Sequence, residues 1–145
     1  MTVPEITVRN LQRKVSVSIV ELEKFSENAV QHCLQLCQRS RTDLRKLSEI
    51  FIWFISDRRM ALLHRKFVGQ SGPTDVLTFQ HGEIFISVDT ARRHAHAFEN
   101  SLLRELKLYI VHGLLHLHGF DDQTPTEADK MRVAQEKILE ICGGV

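Results

Sequence analysis

The strongest constraint on the fold of this chain is the alternation of short strand patterns with longer segments of helical periodicity. Residues 5–9 alternate polar and apolar side chains, and residues 21–37 then place apolar side chains at helical spacing. Glu49–Ile55 is a dense run of aromatic and β-branched residues, which predicts a buried strand, and a helix is expected over 56–67. We expect Phe51 and Trp53 in this run to be core residues rather than base-stacking platforms.

The second half of the chain predicts a hairpin followed by three helices. Two strand patterns, 75–79 and 83–88, are joined around Gly82. The three helices are expected at residues 89–98, 101–118 and 124–142. The predicted fold class is therefore α/β (α+β), with a single small mixed sheet of about four strands packed by about five helices, of which the fourth is the long one.

Length and composition indicate a single domain over residues 1–145. Hydrophobic residues make up 43% of the chain and charged residues 26%, which is typical of globular proteins. No apolar run approaches the roughly 20 residues that span a bilayer. The three cysteines lack a disulfide-framework spacing, which favours a reducing compartment, so we expect a cytoplasmic protein. A net charge of +1 does not by itself indicate a nucleic-acid binder.

The long helix carries the residues that suggest chemistry. His112 and His116 are four positions apart, so their imidazoles project from successive turns and can bind one ion. Gly119 can adopt the left-handed conformation that would bring Asp122 back beside them. Three protein ligands with one open position are typical of catalytic metal sites, so we predict one divalent ion per chain on these residues. The alternative is that both histidines are ordinary polar positions of an amphipathic helix.

The residue after the first histidine separates this helix from that of the familiar metalloproteases. Those enzymes place a glutamate there as general base, whereas this chain has Gly113. A glycine inside a helix costs about 1 kcal/mol relative to alanine, so we expect a close approach at Gly113 by a packed neighbour or by substrate. Proteolysis by the usual mechanism is not predicted.

Three stretches of the chain carry a family resemblance. They are HGLLHLHGFDD at 112–122, PTDVLTF at 73–79 and GEIFIS at 82–87. They resemble the YbeY family of metal-dependent endoribonucleases, in the same order along the chain, and the resemblance runs over about residues 63–139. It implies a zinc ion at the end of the long helix and hydrolysis of single-stranded RNA in rRNA maturation and ribosome quality control. The implied partners are rRNA and the small ribosomal subunit or its proteins, with neither DNA nor a membrane.

Two positions depart from the family pattern. The third metal-binding residue is commonly histidine, and the matching position here is Asp122. A carboxylate still binds zinc but shifts preference toward harder ions such as Mn²⁺ or Fe²⁺. The family also has an arginine, thought to contact substrate phosphate, where this chain has Val68. Arg65 and Lys66 are nearby candidates for that contact.

The mechanism expected for such a site uses a metal-bound water as the attacking group, because the metal lowers the pKa of that water toward about 7. Asp121 or Glu105 is a candidate to accept a proton or to orient a ligand imidazole, and each is also compatible with an ordinary surface acid. Thr74 and Asp75 are candidates to line the cleft. Asp75 is equally compatible with a turn residue that satisfies local backbone donors.

Other functions are compatible with the same residues. One is a ribosome assembly factor in which the metal is structural, and another is a non-standard metallopeptidase. Two histidines and one carboxylate also describe the facial triad of non-haem iron oxygenases, although those ligands usually come from a barrel rather than from one helix.

Overall fold

The chain folds into one four-stranded mixed sheet packed with helices. This computed structural model describes residues 3–39, 41–68 and 74–143, and for Val68 the backbone alone. The strands are β1 (Glu5–Asn10), β2 (Glu49–Ile55), β3 (Val76–Phe79) and β4 (Glu83–Ser87). The helices are α1 (Ile19–Gln35), α2 (Asp43–Lys46), α3 (Asp57–Val68), α4 (Val88–Ala97), α5 (Leu102–Leu117) and α6 (Pro125–Cys142).

The predicted fold class is confirmed, with one helix more than expected. The described residues form four strands and six helices, so the helix with the two histidines, predicted as the fourth and the long one, is the fifth, α5. It has 16 residues and is slightly shorter than α1 and α6. The additional helix is α2, a single turn in which the Thr42 hydroxyl caps the backbone N–H of Arg45 and only Leu44 is buried. One turn has no apolar periodicity, which is why the sequence pattern missed it.

The strands lie in the order β1-β2-β4-β3, and this order leaves β3 at an edge. β1, β2 and β4 are mutually parallel, whereas β3 pairs antiparallel with β4, which confirms the predicted hairpin. The hairpin turn ends at Gly82, whose φ of 104° is favourable for glycine and whose N–H donates to the Phe79 carbonyl at 2.9 Å. The predicted loop around Pro73, which precedes β3, lies outside the described residues.

The two faces of the sheet differ in burial. In β2, Ile50, Ile52 and Phe54 are fully buried in the core, which also takes in side chains of α1, α5 and α6. Phe51 and Trp53 point to the opposite face, where they are half-buried and their rings stack with centroids 5.6 Å apart. Their predicted place in the core is therefore wrong, because side chains alternate between faces along a strand even where every residue is apolar.

Close packing at Gly113 positions α5 on the sheet. A Cβ atom at Gly113 would lie 2.9 Å from both Cγ2 and Cδ1 of Ile84 on β4. The close approach predicted from this glycine is therefore confirmed, and the packed neighbour is Ile84. Within the described ranges, no helix combines the length and the apolar character that crossing a bilayer requires.

Candidate metal centre

The last turns of α5 and the loop after it bring the three predicted ligands together. Gly119 has a φ of 88°, and its left-handed conformation reverses the chain as predicted. The reversal is held by the N–H of Phe120, which donates to the Leu115 carbonyl at 2.9 Å. Asp122 therefore returns alongside His112 and His116, and its side chain is exposed.

The distances between the donor atoms fit a single small cation. The Nε2 atoms of His112 and His116 are 3.0 Å apart, and Nε2 of His112 lies 3.8 Å from Oδ2 of Asp122. One donor atom from each of the three residues lies within 4.8 Å of the other two. Metal–ligand bonds of about 2.0 to 2.1 Å in a tetrahedron separate ligand atoms by roughly 3.3 Å. The group could therefore bind a metal ion after only a small shift of the carboxylate.

A residue of α6 holds the first histidine in the orientation that a ligand needs. The Nδ1–H of His112 donates to Oε1 of Gln135 at 2.5 Å, so the Nε2 lone pair faces the other ligands. Sequence reasoning missed Gln135. Its only signal is its place beside the apolar stripe of α6, one turn after the buried Met131.

The electrostatics of the second histidine favour the neutral form, in which imidazole binds metals. Partial burial and the neighbouring His112 lower the pKa of His116 below its usual range. The carboxylates of Asp122 and Asp121 and a backbone hydrogen bond with Phe120 act in the opposite direction and are outweighed. His116 therefore stays neutral to a lower pH than an ordinary histidine.

A cleft of about 300 Å³ opens over the two histidines. Its described lining residues are Asp43, Val76, Leu77, Thr78, Gln80, His112, His116 and Leu117. Edge strand β3 therefore forms one wall and the end of α5 forms another. The part of the lining that the structure describes includes neither lysine nor arginine, so these residues offer no lysine or arginine cation to a phosphate group.

The two candidate acids occupy different surroundings. Glu105 is 5% exposed and accepts a hydrogen bond from Asn100 at 3.2 Å, two helical turns before His112. Asp121 is half-buried beside the ligands and accepts the backbone N–H of Asp122 at 2.8 Å. Of the two, Asp121 is the acid that adjoins the centre and fixes the backbone of a ligand residue.

Glu105 lies close to Tyr109 and His94, in a polar cluster that is separate from the metal centre. Nδ1 of His94 lies 2.5 Å from the Tyr109 hydroxyl. Burial and the carboxylates of Asp75 and Glu105 raise the pKa of Tyr109 above its usual range, so its hydroxyl stays protonated.

The predicted substrate-binding residues do not line the described part of the cleft. Asp75 accepts the backbone N–H of Val76 at 2.8 Å, which matches the alternative of a residue that satisfies local backbone donors. Thr74 is half-buried beside it. Arg65 and Lys66 are exposed in the last turn of α3. The side chain of Val68 is not among those that the structure describes.

His118 plays a structural role at the end of α5. It is fully buried, with Nδ1 3.0 Å from the Thr42 hydroxyl and Nε2 3.1 Å from the Leu36 carbonyl. Burial lowers its pKa, which keeps the ring neutral. These contacts tie the metal-bearing end of α5 to the segment between α1 and α2.

Comparisons with known proteins identify relatives of this chain and agree with its fold. A family model described as Endoribonuclease YbeY matches residues 7–143. The protein named Endoribonuclease YbeY from Brevibacillus brevis is 33% identical, covering 89% of this chain and 98% of that protein. Its namesake from Chlamydia caviae is also 33% identical, covering 93% of this chain and 89% of its own length. A solution structure from Thermotoga maritima has the same fold, with a TM-score of 0.61 at 24% identity over 93% of this chain and 89% of the other.

Proposed function

The chain belongs to the family of the endoribonuclease YbeY, and we propose that it is a metal-dependent endoribonuclease that cuts single-stranded RNA. Family membership supports the reaction, the internal hydrolysis of RNA. The observation that supports metal dependence is the convergence of three donor atoms, from His112, His116 and Asp122, beside a cleft that the two histidines line. The biological substrate we propose is ribosomal RNA during maturation and ribosome quality control.

An ion at this centre would supply Lewis-acid polarisation of a phosphoryl oxygen and activation of water. The chain's own residues prepare the centre for it. Gln135 fixes the ring of His112, and the lowered pKa of His116 keeps that ring neutral. We assign Asp121 the role of a positioning residue, because its carboxylate accepts the backbone N–H of Asp122. Its other carboxylate oxygen is then available to accept a proton.

We propose that the metal is zinc. We also propose that the chain forms a single domain and acts in the cytoplasm. The carboxylate of Asp122 also makes Mn²⁺ and Fe²⁺ competent alternatives. Because the described cleft lining holds no lysine or arginine, phosphate contacts would have to come from the ion or from residues beyond the cleft. We propose Arg65 and Lys66 for this role, and small-subunit ribosomal proteins as partners that deliver the RNA. Thr74 and Asp75 have a local structural role in this proposal.

The structure weighs against the alternative functions. Gly113 occupies the position of the protease base and packs on Ile84, so this helix places no carboxylate next to His112. A structural metal usually has four protein ligands, whereas the group found among the described residues has three. An assembly factor with a structural metal is therefore less well supported than an enzyme.

The test combines metal analysis with cleavage of a single-stranded RNA. The purified protein, H116A and D122A would be compared with D129A, which removes an exposed aspartate of α6 that is not one of the three donors. We expect about one divalent ion per chain in the wild type and in D129A. We also expect chelator-sensitive cleavage that both ligand variants lose.

Each other result contradicts a particular part of the proposal. Cleavage that persists in H116A and D122A would refute metal dependence at this centre. Metal binding without RNA cleavage, together with rescue of cells by H116A, would favour the assembly factor. Cleavage of a peptide library instead of RNA would identify a peptidase.

A further inference from the structure

A cluster of partly exposed rings lies at the edge of the sheet next to the cleft. The stacking cluster consists of Phe67 at the end of α3, Phe79 on β3 and His81 in the hairpin turn. The Phe67 and Phe79 ring centroids are 5.5 Å apart in an edge-on arrangement, and the Phe79 and His81 rings stack at 5.7 Å. Phe67 is 57% exposed although it has a ring neighbour that could cover it.

The stacking cluster lies across edge strand β3 from the cleft that the metal-binding histidines line. Thr78 and Gln80 line the cleft together with His112 and His116, and Phe79 lies between them in sequence. Side chains alternate along a strand, so Phe79 projects to the other face of β3. An RNA strand that leaves the cleft across edge strand β3 would therefore meet the stacking cluster next to Thr78 and Gln80, which line the cleft on either side of Phe79 in sequence.

Charge at the stacking cluster complements a nucleic-acid backbone. The Lys66 ammonium lies 5.4 Å from the centroid of the Phe67 ring, and Arg65 is exposed in the same helical turn. Among the described residues, the acid that contacts the cluster is Glu83, whose carboxylate accepts a hydrogen bond from His81 at 2.7 Å. Cations beside exposed aromatic faces are the combination that proteins use to bind single-stranded nucleic acids.

We propose that the stacking cluster is a base-binding subsite of this enzyme. The ring of Phe67 stacks on an unpaired base of the RNA strand that passes through the cleft, and Lys66 contacts the adjoining backbone. Bases in a duplex have no free face, so the subsite selects single-stranded RNA. This inference rests on the proposed function, since it assigns a role within the same RNA-binding surface.

The experiment tests whether the contribution of Phe67 to binding affinity requires the bases of the ligand. The metal-free protein would be titrated, by fluorescence anisotropy, with a labelled uridine decamer and with a decamer of the same backbone that lacks every base. We expect F67A to weaken binding of the uridine decamer about tenfold and to leave binding of the base-free decamer unchanged. F67W should restore the affinity. Two matched controls, L62A on the same helix and F98A on α4's C-terminal side, remove similarly exposed apolar side chains and should have no effect.

The inference and the proposed function can fail separately. If F67A weakens both decamers equally, or neither, Phe67 does not stack on a base, while chelator-sensitive cleavage by the wild type would still support the proposed function. If the wild type binds with the expected dependence but cleaves no RNA, the subsite stands and the nuclease fails. If the wild type binds neither decamer, the subsite is refuted, while chelator-sensitive cleavage of RNA still decides the proposed function.

Discussion

Nδ1 of His112 on α5 lies 2.5 Å from the side-chain oxygen of Gln135 on α6, so a hydrogen bond joins these two packed helices behind the candidate metal centre. This contact fixes which imidazole nitrogen faces the ion. It also makes the affinity for metal depend on how α6 packs, because Gln135 lies on α6 between the buried residues Met131 and Ile138, one turn before and about one turn after it.

Replacing Gln135 with alanine should weaken metal binding by roughly 10- to 100-fold, because the ring of His112 loses the partner that orients it. Q135E, which keeps an acceptor at the same place, should retain most of the affinity. Competition with a chromophoric chelator measures both, and E136A on the exposed face of the same helix is the control. Equal affinities for Q135A and the wild type would show that the hydrogen bond has no role in the centre.

Replacing Asp122 with histidine should change which metal the centre prefers. A neutral imidazole is a softer ligand than a carboxylate, so the ratio of zinc affinity to manganese affinity should rise by about tenfold or more. D129N, at an exposed position of α6, keeps the three donors and should leave the ratio near that of the wild type. The two dissociation constants can be measured by competition titration for each variant. An unchanged ratio in D122H would mean that the residue at position 122 does not bind the ion.

Replacing Gly113 with alanine should destabilise the fold by about 1 to 3 kcal/mol, although alanine is the better helix former. The added methyl would meet the buried side chain of Ile84 at 2.9 Å, and the packed core leaves that side chain little room to move. Urea unfolding measures the loss. The double variant G113A/I84A should be more stable than the sum of the single effects predicts. Strict additivity would show that the two side chains do not clash.

The carboxylate of Asp57, at the first residue of α3, should make stability depend on acid pH. Partial burial would raise its pKa, but hydrogen bonds from Ser87, Arg93 and Thr90 outweigh this and lower the pKa below its usual range. The hydroxyls of Ser87 and Thr90 lie 2.5 Å and 2.7 Å from Oδ1, and Arg93 lies 2.7 Å from Oδ2. The charged form is thus favoured in the folded state.

The direction in which stability changes with pH follows from which state, folded or unfolded, binds the proton first. Because the folded-state pKa is the lower one, the unfolded chain takes up the proton first as the pH falls through the ordinary aspartate value of about 3.9. The stabilisation is present above that value and is lost as the pH falls toward the folded-state pKa. Urea unfolding at pH 7, 5 and 3.5 should show D57N less stable than the wild type by about 1 to 2 kcal/mol at pH 7. The difference should shrink at pH 3.5, and a constant difference would contradict the assignment.

Much of the site could be predicted from sequence because its parts are local. His112 and His116 share a helix, and Gly119 predicts the turn that returns Asp122. Helix geometry and one glycine are therefore sufficient to place all three ligands. The hairpin and the close approach at Gly113 were predictable for the same reason. Each depends on residues near in sequence whose types have few structural uses.

The features of the fold and site that could not be predicted from the sequence depend on tertiary packing. Gln135 reaches His112 only because α6 folds back on α5, and no local pattern specifies that pairing. The half-buried state of Phe51 and Trp53 depends on how little of the second sheet face is covered. The single-turn helix α2 contributes Asp43 to the cleft without any periodic signal.

The placement of all three donors within segment 112–122 has a consequence for how the protein responds to metal. Ion binding ties together the last turns of one helix and the loop after it, and it adds no direct bond to the sheet. Loading should therefore slow amide hydrogen exchange at the end of α5, in the returning loop and, through Gln135, in the facing turn of α6. Strands β1 and β2 should exchange as before, so the ion would act as a local clasp on the end of α5, the returning loop and α6.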